Sequence, residues 1–357
     1  MTSQAAGRCA SRPDVPAVRG PLTAELLRLL DLPSTGGVPR AEGAGDPLVG
    51  DDFHLALYLC YELSYRGLPG VDPERESDLA VVSFRRRLEQ AFEGALRSVC
   101  TARSIDGDAP AAVGRLLERP LAPSLSSFLA VEGSRDQLLE FLVHRSAYQL
   151  KEADPHSWVI PRLVPGRRKA ALIEIQTDEY GNGVPGQSHA ELFADAMAAA
   201  GLSARYGAYL DALPGATLAT VNLVSLFGHH RRLAGALLGH LATFEMTSVE
   251  PMGRYAWAAT RLGLGPVVRR FYDVHVEADE HHGELAERVL IGGDLRRDGL
   301  DPDEVVFGAE ALARVEATFT RHLLAAWAAG RSSLLVPRAD TPGAPGAPVE
   351  RQHALAG

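Results

Sequence analysis

The sequence predicts an all-α bundle. Three observations carry that fold class. Apolar residues between the two chain ends recur mostly at spacings of three and four, start and stop signals for helices bracket those runs, and only one short segment alternates with the period of a strand. That segment, ALIEIQ at 171–176, is too short to decide between strand and helix. No repeat of fixed period is visible. A chain of 357 residues, 46% hydrophobic and 23% charged, can bury a sizeable core, and one large domain with disordered ends is the preferred division.

Taken in order, residues 1–20 read as a disordered N-terminal tail and 21–130 as the N-terminal helical part of the bundle. Residues 131–330 read as its helical core, and 331–357 as a disordered C-terminal tail. Three stretches rich in Pro and Gly build no core of their own: 1–20, DLPSTGGVPRAEGAGDPLVG at 31–50, and the tail from 336. Asp51 or Asp52 is placed to cap a helix through Tyr65, with Gly67 as its stop. Ser134 followed by Gln137 is a capping-box pattern opening a helix to about Glu152, ended by Asp154-Pro155. Helical patterns follow at about 187–200, 216–228, 231–250 and 266–290. The last runs from about Asp303 to Ala329, with Leu312, Val315, Phe319 and Leu323 as its buried stripe and Gly330 as its stop. Sites in such bundles are built from inward-facing side chains on several helices.

Composition excludes several function classes. A net charge of -9 argues against a phosphate backbone as partner, so no nucleic acid is expected. Cys9, Cys60 and Cys100 are odd in number and follow no paired spacing, which indicates neither a disulfide framework nor a thiolate zinc site. The N-terminus lacks the apolar run of a signal peptide, and no stretch reaches the ~18 apolar residues of a membrane span. A reducing cytoplasmic setting without membrane contact fits best. The oligomeric state stays open, a homodimer included.

One segment raises a sharper question. In HVEADEHH, residues 275–282, positions 275, 279 and 282 share a helix face, so His275, Asp279 and His282 project together while Glu277, His281, Glu284 and Arg288 line another side. Two imidazoles and a carboxylate form a partial shell for iron, manganese or zinc. On spacing alone an exposed charged helix is the more economical reading. Further ligands would reverse that order. Glu245 lies in the apolar run LATFEMTSV, where an unpaired carboxylate would cost several kcal/mol, so it needs a hydrogen-bond partner or a metal. Glu152 ends a helix, where a surface Glu is the default. Glu179 lies in DEYGNG, read as a loop with flexible backbone at Gly181 and Gly183. His189 opens the next helix, where Ser188 and Glu191 make a capping box and Glu191 is a cap in preference to a ligand.

The segments LKEADPHSWVIPRL, IEIQTDEYGNGVPGQSHAELF, GHLATFEMTSVEP and FYDVHVEADEHH resemble those of the iron-containing redox enzymes of the haem-oxygenase-like diiron oxidase superfamily, over roughly residues 50–330. The resemblance implies a haem-oxygenase-like helical bundle whose core, residues 131–330, holds a non-haem diiron site. It assigns as metal ligands Glu152, Glu179, His189, Glu245, His275, Asp279 and His282. It further implies two iron ions cycling between ferrous and ferric states, O2, and an external electron donor. Two ferrous ions bridged by carboxylates together deliver two electrons to O2, and imidazoles suit both oxidation states. On this reading Glu152, Glu245 and Asp279 are structural or bridging ligands, the histidines are terminal, and Glu179 is the adaptable, catalytic one. Family members that oxygenate nitrogen offer a carboxylate ten residues before the histidine, as Glu179 precedes His189. The resemblance therefore favours N-oxygenation of an amine-containing small molecule in natural-product biosynthesis. The alternatives are oxidative C–C cleavage or desaturation of an aliphatic or amino acid, and a non-catalytic metal-binding helical protein.

Other signatures fail. The sole Glu-x-x-His match, Glu350 with His353, falls in the Pro/Gly tail, and HExxH is absent. His54 is the one histidine near the start of the fold that a haem would need. With Tyr58, Glu62 and Tyr65 it forms a polar line on an otherwise apolar helix. That line reads either as a solvent-facing stripe or as part of a substrate pocket in which Glu62 pairs with a cationic amine. His144 and Tyr148 are weaker candidates of the same kind.

Overall fold

Several helix starts in this chain are set by side chains that take up the free amides of the first turn. The structure, a computed structural model, describes residues 13–31 and 45–337, and among them there are helices and no strand. The one β pairing is an isolated bridge between Ile105 and Asp108. Helix α1 (Pro21–Asp31) is capped from outside itself, because Asp52 accepts from the amides of Leu22 and Thr23. Helix α2 (Asp51–Tyr65) starts at Gly50, and its expected cap Asp51 instead accepts from the amide of Gly215, in the first turn of α9 (Gly215–His229). Asp78, Asp108 and Ser124 cap α3 (Leu79–Val99), α4 (Ala109–Leu117) and α5 (Leu125–Val131).

The Ser134–Gln137 capping box opens α6 (Arg135–Gln149) as its spacing predicts. This helix stops three residues before Glu152. Ala153 has a φ of 74°, a conformation L-residues rarely adopt, and the chain turns there into a single helical turn at Asp154–Ser157. The ALIEIQ segment is helical, within α7 (Arg167–Glu179). Its buried residues Leu172, Ile175, Gln176 and Glu179 follow helical spacing, which a six-residue window conceals. Ser188 and Glu191 form the capping box of α8 (His189–Ala199). The pattern at 231–250 resolves into α10 (Ala234–Thr247) and the start of α11 (Val249–Arg261), the break lying at Ser248 with Pro251 in the following first turn. Helix α12 (Gly265–Leu285) continues into a π-helical turn at Ala286–Leu290. Helix α13 (Pro302–Ala328) is followed by Gly330 at φ 65° and buries the expected stripe Leu312, Val315, Phe319 and Leu323.

Helices α9 and α10 form the centre. Every residue from Gly215 to Gly228 is buried, the pattern of a helix surrounded on all sides. Helix α13 crosses α10 with backbones in contact: a Cβ on Gly308 would lie 1.9 Å from the carbonyl oxygen of Ala236, and one on Gly239 would lie 1.9 Å from that of Val305. Arg168 ties α7 to the end of α12, its guanidinium donating to the carbonyls of Val289, Leu290 and Gly292 and to Asp298.

Of the segments read as tails, residues 13–20 and 331–337 are placed. Arg19 donates to the carbonyls of Leu210 and Leu213, and buried Ser333 bonds His144 and Glu140. Residues 1–12 and 338–357, Cys9 among them, and 32–44 lie outside the described residues. Cys60 and Cys100 are buried free thiols. No described helix is long and apolar enough to cross a membrane.

Candidate metal centre

Five chain segments point acidic or imidazole side chains into one buried volume. Glu152 comes from the turn after α6, Glu179 from the last residue of α7 (not a loop, as its glycine-rich neighbours suggested), and His189 from the first residue of α8. Glu245 comes from α10, and His275, Asp279 and His282 come from one face of α12. On the opposite face of α12, Glu277, His281, Glu284 and Arg288 are exposed. Gly283 lets α12 approach α10, since a Cβ there would lie 3.1 Å from the carbonyl oxygen of Glu245.

The seven side chains sort into two groups. Glu152, His189 and His275 each offer a ligand atom within 4.8 Å of the others, and so do Glu179, Asp279 and His282. The groups interlock, because His189 Nδ1 lies 2.9 Å from Glu179 Oε2, and within the first group the rings of His189 and His275 have centroids 4.1 Å apart. Glu245 joins the second group, with Oε2 3.5 Å from His282 Nδ1. Outer contacts hold two of the rings. His275 Nδ1 donates to the carbonyl of Phe271 at 2.7 Å, which leaves the Nε2 lone pair for the site. His282 Nε2 donates to Asp178 at 3.0 Å, which leaves Nδ1 facing Glu245 and Asp279.

Four atoms here are buried without a hydrogen-bond partner: Glu152 Oε2, His189 Nδ1, His275 Nε2 and His282 Nδ1. Buried polar atoms are rarely left so, and their convergence makes a donor set that could hold a metal ion. Electrostatics agrees. Burial, reinforced by Glu179 and Asp279, outweighs His282 and pushes the Glu245 carboxyl up to about 8. Burial pulls His275 down, but Glu152 and the other carboxylates outweigh it and hold the ring at about 10. His282 likewise stands at about 11, Asp279 and Glu245 overcoming burial. Glu179 is the carboxylate the histidines favour most: against burial, His189, His275 and His282 draw it to about 2. Protons thus fill an excess of negative charge that a cation would neutralise. Mixed carboxylate and imidazole donors without thiolate suit iron.

The centre opens into a cavity of about 310 Å³. Glu152, Glu179, Glu245 and Asp279 form part of its wall, and Phe193, Leu241, Phe244, Met252 and Phe271 give it an apolar body. Of the residues expected to meet substrate, Tyr148 lines this cavity. His54, Tyr58, Glu62 and His144 do not, and they are not solvent-facing either, because α2 is buried on all sides from Phe53 to Glu62 and His144 is buried within α6. His54 takes the side-chain amide of Asn222, and His144 is held between Thr217 and Ser333. Glu62 is already paired through Oε2, 3.2 Å from buried Lys151 and 2.7 Å from the Tyr206 hydroxyl, so its charge is met by a lysine of the chain itself. Residues the spacing arguments passed over include Asp178, visible only as the neighbour of Glu179, and Gln149, His156 and Gln176 on the cavity wall.

The description "iron-containing redox enzyme" fits residues 139–317, half of the chain, and these include all seven converging side chains. The chain belongs to that family. As an iron-containing redox enzyme it is an oxidoreductase with a haem-oxygenase-like helical fold, and the family name implies iron. A comparison with curated proteins finds no match.

Proposed function

We propose that this iron-containing redox enzyme is an O2-dependent diiron oxidase that oxygenates nitrogen in an amine-containing small molecule of a biosynthetic pathway. The observation that carries the reading is the pairing of two ligand groups in one buried volume, linked by the 2.9 Å approach of His189 to Glu179. Four carboxylates with neutral histidines carry four negative charges, which two divalent ions balance. A single ion would leave the charge of two buried carboxylates to be met by protons on Glu245 and the histidines. Two iron ions held there, reduced by an external electron donor, would supply the electrons that activate O2.

The protein's own part is to bind and orient. Glu152, His189 and His275 form one ligand set, and Asp279, His282 and Glu245 the other. Glu179 belongs to the second set and touches the first, which suits a ligand that changes its mode of attachment. The cavity beside them shields the site and receives the substrate. N-oxygenation is favoured by the Glu179 carboxylate ten residues before His189. Its competitor, desaturation or cleavage of an aliphatic acid, draws support from the apolar cavity wall. Ferrous-loaded protein supplied with reductant, O2 and a panel of primary amines and aliphatic acids separates the two. A product heavier by one oxygen on nitrogen is expected. Carbon oxidation alone would favour the competitor, and O2 uptake no faster than that of free ferrous iron would overturn both.

A further inference from the structure

Gln176 sits on α7 one turn before Glu179, is buried, and lines the same cavity as the carboxylates. Its Nε2 donates to the carbonyl of Ala153 at 3.0 Å and to Ser157 Oγ at 2.9 Å. A carbonyl only accepts, so the Ala153 contact fixes which end of the amide is nitrogen. The opposite end, Gln176 Oε1, is buried and has no partner. The same holds for Gln149 Oε1 at the end of α6, on the wall of the same cavity. Desolvated acceptors without a donor are costly, and the donors that also line the cavity, among them Tyr148, His156 and Tyr272, leave both amide oxygens unpaired. The free hydrogen-bonding capacity around Gln176 therefore asks for a donor.

We infer that Gln176 is a positioning residue whose amide oxygen holds an N–H-bearing substrate headgroup about one helical turn from the Glu179 carboxylate, with Gln149 as a second acceptor. This rests on the amine reading above and names the group that selects the amine. The cradle is rigid because the bonds to Ala153 and Ser157 also fix the turn that carries Glu152, so headgroup and ligand are positioned by one network.

The test is equilibrium binding to ferrous-loaded full-length protein without O2, which needs no turnover. The probes are hexylamine, hexyltrimethylammonium, which has the same charge and no N–H, and hexan-1-ol. Wild-type protein is expected to prefer hexylamine to both others. Gln176→Met and Gln176→Glu both lose the bond to Ala153, but only Gln176→Glu keeps an acceptor oxygen. Gln176→Met is expected to bind hexylamine about tenfold more weakly, with hexyltrimethylammonium unchanged, while Gln176→Glu retains the affinity. Ser157→Ala, which removes one supporting bond and leaves the oxygen and the Ala153 bond in place, is expected to weaken hexylamine binding less than Gln176→Met does. Equal weakening of all three probes in Gln176→Met, a loss confined to hexan-1-ol, or no preference for hexylamine in wild type would overturn the inference. If the enzyme oxidised carbon instead of nitrogen, a Gln176-dependent preference for hexylamine would still stand.

Discussion

Glu179 and Asp178 are consecutive carboxylates with different duties, one facing the ligand cluster and the other gripping a ligand from behind. Asp178 accepts from His282 Nε2 and fixes which nitrogen of that ring faces the site. Such outer partners typically carry ten- to hundredfold in metal affinity, so Asp178→Asn is expected to lower iron retention at the Asp279–His282 side by about that factor. Asp178 is partly exposed, so the fold should survive the change. Competition against a ferrous chelator measures it, and retention equal to wild type would show that the Asp178 contact is incidental. At this scale the sequence was informative where spacing decides the face. His275, Asp279 and His282 fall on one side of α12 under any helical phase. It was silent on Asp178 and Gln176, because ALIEIQ hid the phase of α7 and a DE pair looks the same whichever member turns inward.

Helix α10 brings Glu245 to the site only because α13 and α12 lie against it without side chains in between. The reciprocal approach of Gly308 to Ala236 and Gly239 to Val305 leaves no room for even a methyl group. Gly308→Ala is therefore expected to push α13 off α10 and destabilise the fold by roughly 1–3 kcal/mol, the usual cost of overpacking. Denaturant unfolding reads this, and an unchanged midpoint would mean the crossing is loose. Helix starts were readable wherever a capping box stood, at Ser134 and Ser188. Tertiary capping was not: Asp51 and Asp52 carry the signature of a helix start and serve other helices instead. The turn at Ala153 escaped notice for a similar reason, since nothing in KEADP marks alanine for a positive φ.

Across the whole molecule, buried histidines outside the seven converging side chains shape the response to acid. Burial, only partly opposed by nearby acceptors, holds His54 down to about 4. Burial lowers His156 to about 4 as well, and His144 and His240 also lie well below the usual range. The unfolded chain takes up these protons at about 6.5 and the native state only well below that, near 4 for His54 and His156, so native stability falls as pH drops below about 6.5. His54 alone accounts for on the order of 3 kcal/mol between its two values. Unfolding midpoints at pH 7 and pH 5 are expected to differ strongly, and equal midpoints would show these rings to be charged in the fold. The all-α class and the chain order of the site were visible beforehand, because periodicity and motif order survive in one dimension. Which polar residues of α2 face a cavity was not, because burial on all sides erases the contrast between faces. The most direct measurement is the iron count of anaerobically loaded protein. Two ferrous ions per chain, falling to one or none in Glu179→Ala, is the predicted result, and one ion in wild type or two retained in Glu179→Ala with normal O2 consumption would contradict the diiron reading.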